Sequence, residues 1–428
     1  MKKKKLLIVL SAVVLITVVF FIAKDYKAGT QKNSGLPDNE AGIISNTGTS
    51  ADKFITTFKE QLVLNPDNSG LLTKLGAAYI QKARESNDPE YYAMAEDVLE
   101  RAVDEQEDNF LAIAELGSVY LSRHHFKEAL DQSQKALELN PYSAYTYGVK
   151  VDAQVELGMY DEAIMSVQKM VDTRPDLSSY SRVSYVRELK GDMQGAIDAM
   201  KSAISAGSPD AENTAWCRVQ LGNLYYNSGN IEDAEMIFNG IRENFPEYIH
   251  GYGGLARIKV FRKQYDEAIG LYKTALEKNT LPEYLIALGD VYTLKGEKDK
   301  AEEQYRKVKF IITMFKEKGV DTDLELALFN ADHNRNLKES LSDAQNSLEN
   351  GSQSIKVYHT LAWTSYKLGN YEDAEKYISQ ALRLGTKDPL MYYHAGKIFG
   401  KTAKPEQSTA YLEYSLKINP YYDALYSE

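Results

Sequence analysis

The chain has 428 residues, of which 43% are apolar and 26% charged, as in an ordinary folded protein. Its mean hydropathy of -0.43 excludes a multi-span membrane protein. The single cysteine, Cys217, excludes an intramolecular disulfide framework and a zinc site built from several thiolates. The formal net charge of -11 argues against nucleic acid as a partner, because phosphate binding needs a basic surface.

The first predicted element is an apolar segment at the N-terminus. Four lysines precede eighteen uncharged residues, Leu6 to Ala23. As a helix this run would be about 27 Å long, close to the ~30 Å hydrocarbon core of a bilayer. Residues 1–23 are therefore interpreted either as a retained membrane anchor or as a cleaved secretory signal. The bulky Phe21 favours the anchor, because signal cleavage needs a small residue at that position.

The lysines also predict an orientation. Four precede the apolar run and only Lys24 and Lys27 follow it closely, so the N-terminus is expected in the cytoplasm and the rest of the chain outside it. Residues 24–50 are rich in Gly, Ser, Asn and Thr without periodicity, which predicts a flexible linker. The sequence thus predicts a single-pass membrane protein with an extracytoplasmic folded part at residues 51–428.

From residue 51 onward, one pattern recurs about every 34 residues. Its clearest feature is a small residue whose successive spacings are 34, 34, 33, 38, 34, 33, 39, 34 and 34. The position is occupied by Ala95, Ala129, Ala163, Ala196, Ala234, Ala268, Ala301, Ser340, Ala374 and Ser408. A small side chain lets two antiparallel helices cross closely. Apolar residues three, four and seven apart predict amphipathic helices around it.

The pattern resembles the tetratricopeptide repeat family over roughly residues 51–428. The second repeat shows the resemblance through Leu116, Gly117, Tyr120, Ala129 and Pro141. It implies an all-α, right-handed superhelical solenoid of about ten helix-turn-helix repeats. An extra helix is expected over Phe54 to Leu64. Additional residues near 205–214 and 313–323 are expected either to kink the solenoid or to form longer loops.

The resemblance also implies a set of partner-binding residues. In that family the first helix of each repeat lines a concave groove through its second, fifth, ninth and twelfth positions. The implied groove residues are Tyr145, Asp152, Tyr185, Trp216, Asn223, Tyr226, Arg257, Asp290, Trp363, Tyr366, Tyr393 and Lys397. Aromatic side chains on such a wall would supply large, rigid contact area. The alternative is that several of them pack between adjacent repeats.

Motifs that suggest chemistry have simpler interpretations. Residues 251–256 match a GxGxxA dinucleotide pattern, but they fall inside a predicted helix with no preceding strand. His124 and His125 fall at a predicted exposed turn, as His333 does, and are interpreted as turn residues rather than metal ligands. Cys217 is interpreted as a quiet, half-buried thiol. The sequence therefore predicts no enzymatic activity, cofactor or metal.

The predicted function is a non-catalytic, membrane-tethered scaffold that binds a protein or peptide partner in its groove. One alternative is a polysaccharide-binding or export-associated envelope protein, because Trp and Tyr rings can stack on sugars. Another is a secreted repeat protein, if the N-terminal segment is cleaved. The chaperone-tail clamp of some family members is not predicted. Asn223 and Arg257 occupy suitable positions, but Val219 and Glu283 stand where the clamp has lysines.

Overall fold

The computed structural model describes residues 51–86 and 88–421. Within them the chain forms twenty-one α-helices, one short 3₁₀ helix at Leu382–Leu384 and no strand. The α-helices are α1 (Ala51–Leu64), α2 (Ser69–Ser86), α3 (Glu90–Glu105), α4 (Phe110–Ser122), α5 (Phe126–Leu139), α6 (Ala144–Glu156), α7 (Tyr160–Thr173), α8 (Leu177–Leu189), α9 (Met193–Ala206), α10 (Glu212–Asn227), α11 (Ile231–Asn244), α12 (His250–Phe261), α13 (Tyr265–Lys278), α14 (Pro282–Leu294), α15 (Lys298–Glu317), α16 (Asp323–Asp332), α17 (Leu337–Glu349), α18 (Ile355–Leu368), α19 (Tyr371–Ala381), α20 (Pro389–Phe399) and α21 (Pro405–Ile418).

After α1, which packs on α2, the helices pair in chain order from α2 with α3 to α20 with α21. Second helices also pack against the first helix of the following pair, as α5 does against α6 and α11 against α12. The Ser184 hydroxyl donates to the Ala196 carbonyl at 2.7 Å and so ties α8 to α9. The prediction of an all-α array of about ten helix pairs with an additional first helix is confirmed.

The small residues lie where the paired helices cross. The eight alanines of the periodic position are 2% exposed or less, and Ser340 is fully buried. The small residues on the first helix of a pair lie equally close to the second helix. A Cβ atom added to Gly222 of α10 would lie 2.7 Å from the Phe238 ring of α11, and one on Gly396 of α20 would lie 2.6 Å from Leu412 of α21. The periodicity therefore reflects contact between helix backbones, as the sequence predicted.

Glycines with a left-handed conformation end the first helices. Gly158 and Gly229 have φ of +78° and +77°, a region that disfavours residues with a side chain. In the second repeat His124 takes the same place with φ of +62°. The turn geometry is thus kept even where the glycine is absent.

The two long spacings have different structural origins. Near residue 313 the additional residues lengthen α15 to twenty residues, after which Gly319, at φ of +80°, turns the chain. Between α9 and α10 they form a loop over residues 207–211. Whether either one bends the solenoid stays a prediction.

The described chain divides into two compact units. The first, here called the N-terminal unit, contains residues 51–182 and 315–321; the second, the C-terminal unit, contains 183–314 and 322–421. The boundary falls inside α8 rather than at a long spacing. Each unit includes contacts between residues far apart in the sequence.

In the N-terminal unit, the Arg123 Nε atom donates to the Gly319 carbonyl at 2.9 Å. In the C-terminal unit, the Thr386 hydroxyl donates to the Leu189 carbonyl, and the Asn419 side-chain amide donates to the Tyr226 carbonyl at 3.0 Å. These partners are 193 to 197 residues apart along the chain. Both units are therefore held by distant contacts in addition to repeat stacking.

The predicted anchor, residues 1–23, and the linker, 24–50, lie outside the described residues. Among the helices that the structure describes, none combines the length and apolarity needed to cross a bilayer.

Gly222→Ala should destabilise the chain by about 1–3 kcal/mol, because the added methyl group overlaps the Phe238 ring. Gly240→Ala, in the partner helix α11, is the matched control. No heavy atom lies within 4 Å of its added Cβ, so it should stabilise by up to about 1 kcal/mol through helix propensity. Urea unfolding followed by far-UV circular dichroism compares the two. Equal effects would contradict the assignment of Gly222 to a close crossing.

Candidate binding groove

The twelve predicted groove residues fall into two groups. Six are 7% exposed or less: Asp152, Trp216, Asn223, Tyr226, Asp290 and Trp363. Six are partly exposed: Tyr145, Tyr185, Arg257, Tyr366, Tyr393 and Lys397. A partner can reach only the second group without rearrangement of the wall. That any of the twelve binds a partner stays a prediction.

Asp152 of α6 is held in a buried ion pair. The Arg182 guanidinium of α8 donates to it twice, from Nε at 2.9 Å and from Nη2 at 2.6 Å. Arg182 is 5% exposed and also donates to the Ser178 carbonyl at 3.2 Å. The pair joins two successive repeats of the N-terminal unit. Sequence analysis missed Arg182. Its position thirty residues after an inward-facing acid was the only available signal.

Tyr145 of α6 lies beside a buried acid that sequence analysis also missed. Glu115 of α4 is 8% exposed, and burial raises its pKa to about 7. The nearby Tyr145 hydroxyl and the positive charge of Arg84 oppose that rise. Burial and the charge of Glu115 raise the pKa of Tyr145 well above its ordinary value. Tyr145 thus participates in a polar cluster of the N-terminal unit.

Arg257 of α12 spans two repeats in the C-terminal unit. Its guanidinium lies 4.8 Å from the centre of the Tyr226 ring and 5.9 Å from that of Phe238. One nitrogen donates to the side-chain oxygen of Asn223 on α10. The buried Asn223 and Tyr226 therefore position a cation that remains partly exposed.

Asp290 of α14 is fully buried and serves as an acceptor for two neighbours. The Tyr305 hydroxyl donates to its Oδ1 atom at 2.7 Å, and the His333 Nε2 atom lies 2.8 Å from the same oxygen. Burial is the largest single influence on His333 and opposes its protonation. The charges of Asp290 and Asp332, with the hydrogen bonds to Asp290 and to the Phe329 carbonyl, together outweigh burial and raise the pKa of His333. His333 does lie at a helix end, as the sequence predicted, but its side chain is only 3% exposed. The ring turns inward because Asp290 offers it a buried acceptor.

Trp363 of α18 is the centre of an aromatic stack. The ring of His394, from α20, lies 3.5 Å away and nearly parallel, and that of Tyr366 lies 4.9 Å away at 5°. The indole nitrogen donates to Asp332 Oδ1 at 2.9 Å. His394 Nδ1 lies 2.9 Å from Nε2 of the buried His359. The stack connects three successive repeats, while Tyr366 remains partly exposed.

The other suspected chemical sites are structural. The GxGxxA residues lie inside α12, where a Cβ on Gly253 or Gly254 would strike the rings of Tyr284 or Phe238. Cys217 is fully buried rather than half-buried. His124 is partly buried, and its Nδ1 atom lies 2.6 Å from the Asp321 carbonyl. Among the described residues, no group of three or more His, Cys, Asp or Glu side chains could hold a metal ion.

Three segments match family profiles described as tetratricopeptide repeat: residues 217–248, 254–311 and 355–388. They coincide with α10–α11, with α12–α15 and with α18–α19. These three segments match the tetratricopeptide repeat. The helix pairs and these matches bear out the all-helical repeat array that the resemblance implied, while its right-handed superhelical course stays a prediction.

Several known proteins are similar to parts of this chain. The human Superkiller complex protein 3 is 23% identical over 219 residues, which is 48% of this chain and 14% of that protein. The chain thus spans about one seventh of the length of this relative. A crystal structure titled as the Cut9-Hcn1 hetero-tetramer of APC/C is 13% identical, covering 88% of this chain and 92% of that one, with a TM-score of 0.39. YrrB, titled a TPR protein with an unusual peptide-binding site, is 19% identical, covering 44% and 95%, with a TM-score of 0.31.

Arg182→Leu should destabilise the chain by about 3–5 kcal/mol, because it leaves the Asp152 carboxylate buried without its ion-pair partner. The double variant Asp152→Leu with Arg182→Leu should be more stable than Arg182→Leu alone, since it removes both charges. Chemical unfolding of the wild type and the three variants, including Asp152→Leu, checks the coupling. If the two single effects simply add, the pair does not hold the repeats together as described.

Glu115→Gln should stabilise the chain at pH 8 and have little effect at pH 5. The raised pKa of Glu115 means that the folded state binds more protons than the unfolded state between about pH 4.5 and 7. The free energy of unfolding that Glu115 contributes therefore falls as pH rises through this window. Thermal unfolding across the pH range measures it, with the exposed Glu138→Gln as control. A pH-independent difference between Glu115→Gln and wild type would refute the effect.

Proposed function

We propose that this chain is a non-catalytic scaffold that holds a protein or peptide partner in the groove lined by the first helices of its repeats. The tetratricopeptide repeats support a binding role of this general kind. The proposal extends to the N-terminal segment: Leu6 to Ala23 tethers the chain to a membrane, with the repeats on the extracytoplasmic side. The support for this tether is the uncharged run and its flanking lysines.

The observation that carries the binding role is the stack around Trp363. Tyr366 is partly exposed but lies flat against Trp363, which is 1% exposed and is itself covered by His394. The hydrogen bond to Asp332 restrains the indole further. A ring that is already immobile loses little conformational entropy when a partner covers it. Tyr366 thus has the features of a preorganised contact residue.

A second aromatic side chain lies on the next repeat. Tyr393 of α20 is partly exposed, and its ring lies 6.1 Å from that of His394, the residue stacked on Trp363. Two tyrosines supported by one buried stack offer contact area on successive repeats. An extended peptide could cross both.

The structure gives less support to polysaccharide binding than the sequence did. It rested on Trp and Tyr rings that can stack on sugars, but the two tryptophans, Trp216 and Trp363, are only 7% and 1% exposed. The partly exposed aromatic groove residues are tyrosines. One of them, Tyr393, lies beside the cationic Lys397, which suits a peptide better than a neutral sugar.

Photo-crosslinking in intact cells tests the proposal. Replacement of Tyr366 or Tyr393 by p-benzoylphenylalanine should give a crosslinked product that is sensitive to protease and recovered with the membrane fraction. The matched control is the same replacement at Tyr142, which is 82% exposed and outside the predicted groove. The alanine variant Tyr366→Ala with Tyr393→Ala should reduce partner capture about tenfold or more. Protein crosslinks at Tyr142 and none at the groove positions would refute the groove role.

A further inference from the structure

Three acidic residues on the first helices of the C-terminal unit already have polar partners within the protein. Asp290 accepts from Tyr305 and contacts His333 at 2.8 Å. Glu325 pairs with Lys356 at 2.8 Å. Asp332 accepts the Trp363 indole proton and lies 97% buried. Each of these carboxylates is thus hydrogen-bonded or ion-paired with a neighbouring side chain of the protein.

Two positively charged residues on other first helices of this unit contact aromatic rings instead of carboxylates. Arg257 covers Tyr226 at 4.8 Å and hydrogen-bonds only the neutral amide of Asn223. The Lys367 Nζ atom lies 4.8 Å from the Trp363 ring. In the part of the chain that the structure describes, neither Arg257 nor Lys367 forms an ion pair with a carboxylate. Both remain partly exposed.

Lys397 adds a third positive charge on the adjacent repeat. Its Nζ atom lies 5.9 Å from the Tyr393 ring, and the side chain is partly exposed. Burial lowers the pKa of Lys367, the charge of Asp332 opposes that change, and the charge of Lys397 lowers the pKa further. The two lysines therefore repel each other, and an anion placed beside them would relieve that repulsion.

Another acidic residue on the first helices of the C-terminal unit is Glu283. It stands at the second position of α14, is partly exposed, and one of its buried carboxyl oxygens has no hydrogen-bond partner among the described residues. Burial raises its pKa to about 7, so it carries less than a full negative charge at neutral pH. The inner lining of the C-terminal unit is therefore positive, although the whole chain has a net charge of -11.

We propose that the inner lining of the C-terminal unit selects an extended acidic peptide segment. Its carboxylates pair with Arg257, Lys367 and Lys397, and its apolar side chains lie on Tyr366 and Tyr393. The cations follow the first helices of three different repeats, α12, α18 and α20, so the segment runs along the wall instead of ending in one pocket. This inference rests on the proposed scaffold function and specifies the chemistry of the partner.

Fluorescence anisotropy on the full-length protein tests the selectivity. Three fluorescein-labelled octapeptides serve as probes. In each, pairs of Phe alternate with pairs of Glu, Gln or Lys, so that either face of the extended peptide carries both kinds of side chain. The Glu peptide should bind about tenfold or more tightly than the Gln peptide, and its affinity should fall as salt rises. The Lys peptide should bind most weakly.

Matched variants locate the effect. Lys367→Met with Lys397→Met removes both charges but keeps the aliphatic stems, and it should weaken the Glu peptide about tenfold or more while leaving the Gln peptide unchanged. Lys376→Met is the control, because Lys376 also lies over a tyrosine ring, at 6.0 Å from Tyr377, but on the second helix α19. Circular dichroism confirms that each variant remains helical.

Three results would overturn the inference: no detectable binding of the Glu peptide, equal affinity for the Glu and Gln peptides, or equal weakening by the control variant. Equally tight binding of an eight-nucleotide single-stranded DNA or of heparin would also overturn it, because the lining would then bind any polyanion. The scaffold function is tested separately. A partner crosslinked through Tyr366 whose capture is unaffected by the two lysine substitutions leaves that function intact and removes only the acidic-peptide inference.

Discussion

The close crossing of paired helices is the constraint on which this structure depends. Paired helices meet at residues that leave no room for a larger side chain, such as Gly222 against Phe238, Gly289 against Tyr305 and Gly396 against Leu412. A single helix pair buries too little surface to fold alone, so each must stack on the next. The regular spacing that permits stacking also repeats the same positions in each first helix, and these positions supply the candidate groove residues.

The polar residues at these positions have two different roles: some join successive repeats, and others support side chains that remain partly exposed. Asp152 with Arg182, Asp290 with His333, and Trp363 with Asp332 join repeats that follow one another. Such pairs fix how one repeat is placed on the next, which apolar packing alone specifies less sharply. The rings and cations that remain partly exposed are then supported by this framework. The residues that join the repeats and the residues that could contact a partner thus lie at neighbouring positions of the same helices.

Much of the fold could be predicted from the chain alone. The small-residue period located the helix pairs, and the additional first helix was expected within a few residues of α1. Half of the candidate site could not be predicted in the same way. A position number shows that Asp152, Asn223 or Trp363 faces the groove side of its helix. It does not show whether the next repeat places a guanidinium or a histidine ring over that side chain.

The sequence by itself determined the helix pairs, their turns and the face that each first helix directs inward, because these follow from contacts within about 34 residues. Tertiary structure decided which inward side chains remain accessible, since their partners lie on the next repeat, 30 to 43 residues away for Asp152 and Asp290. It also decided the ties between residues 193 to 197 positions apart. Each of those ties joins residues from repeats that are far apart in the chain, and no local pattern of residues indicates which of them meet.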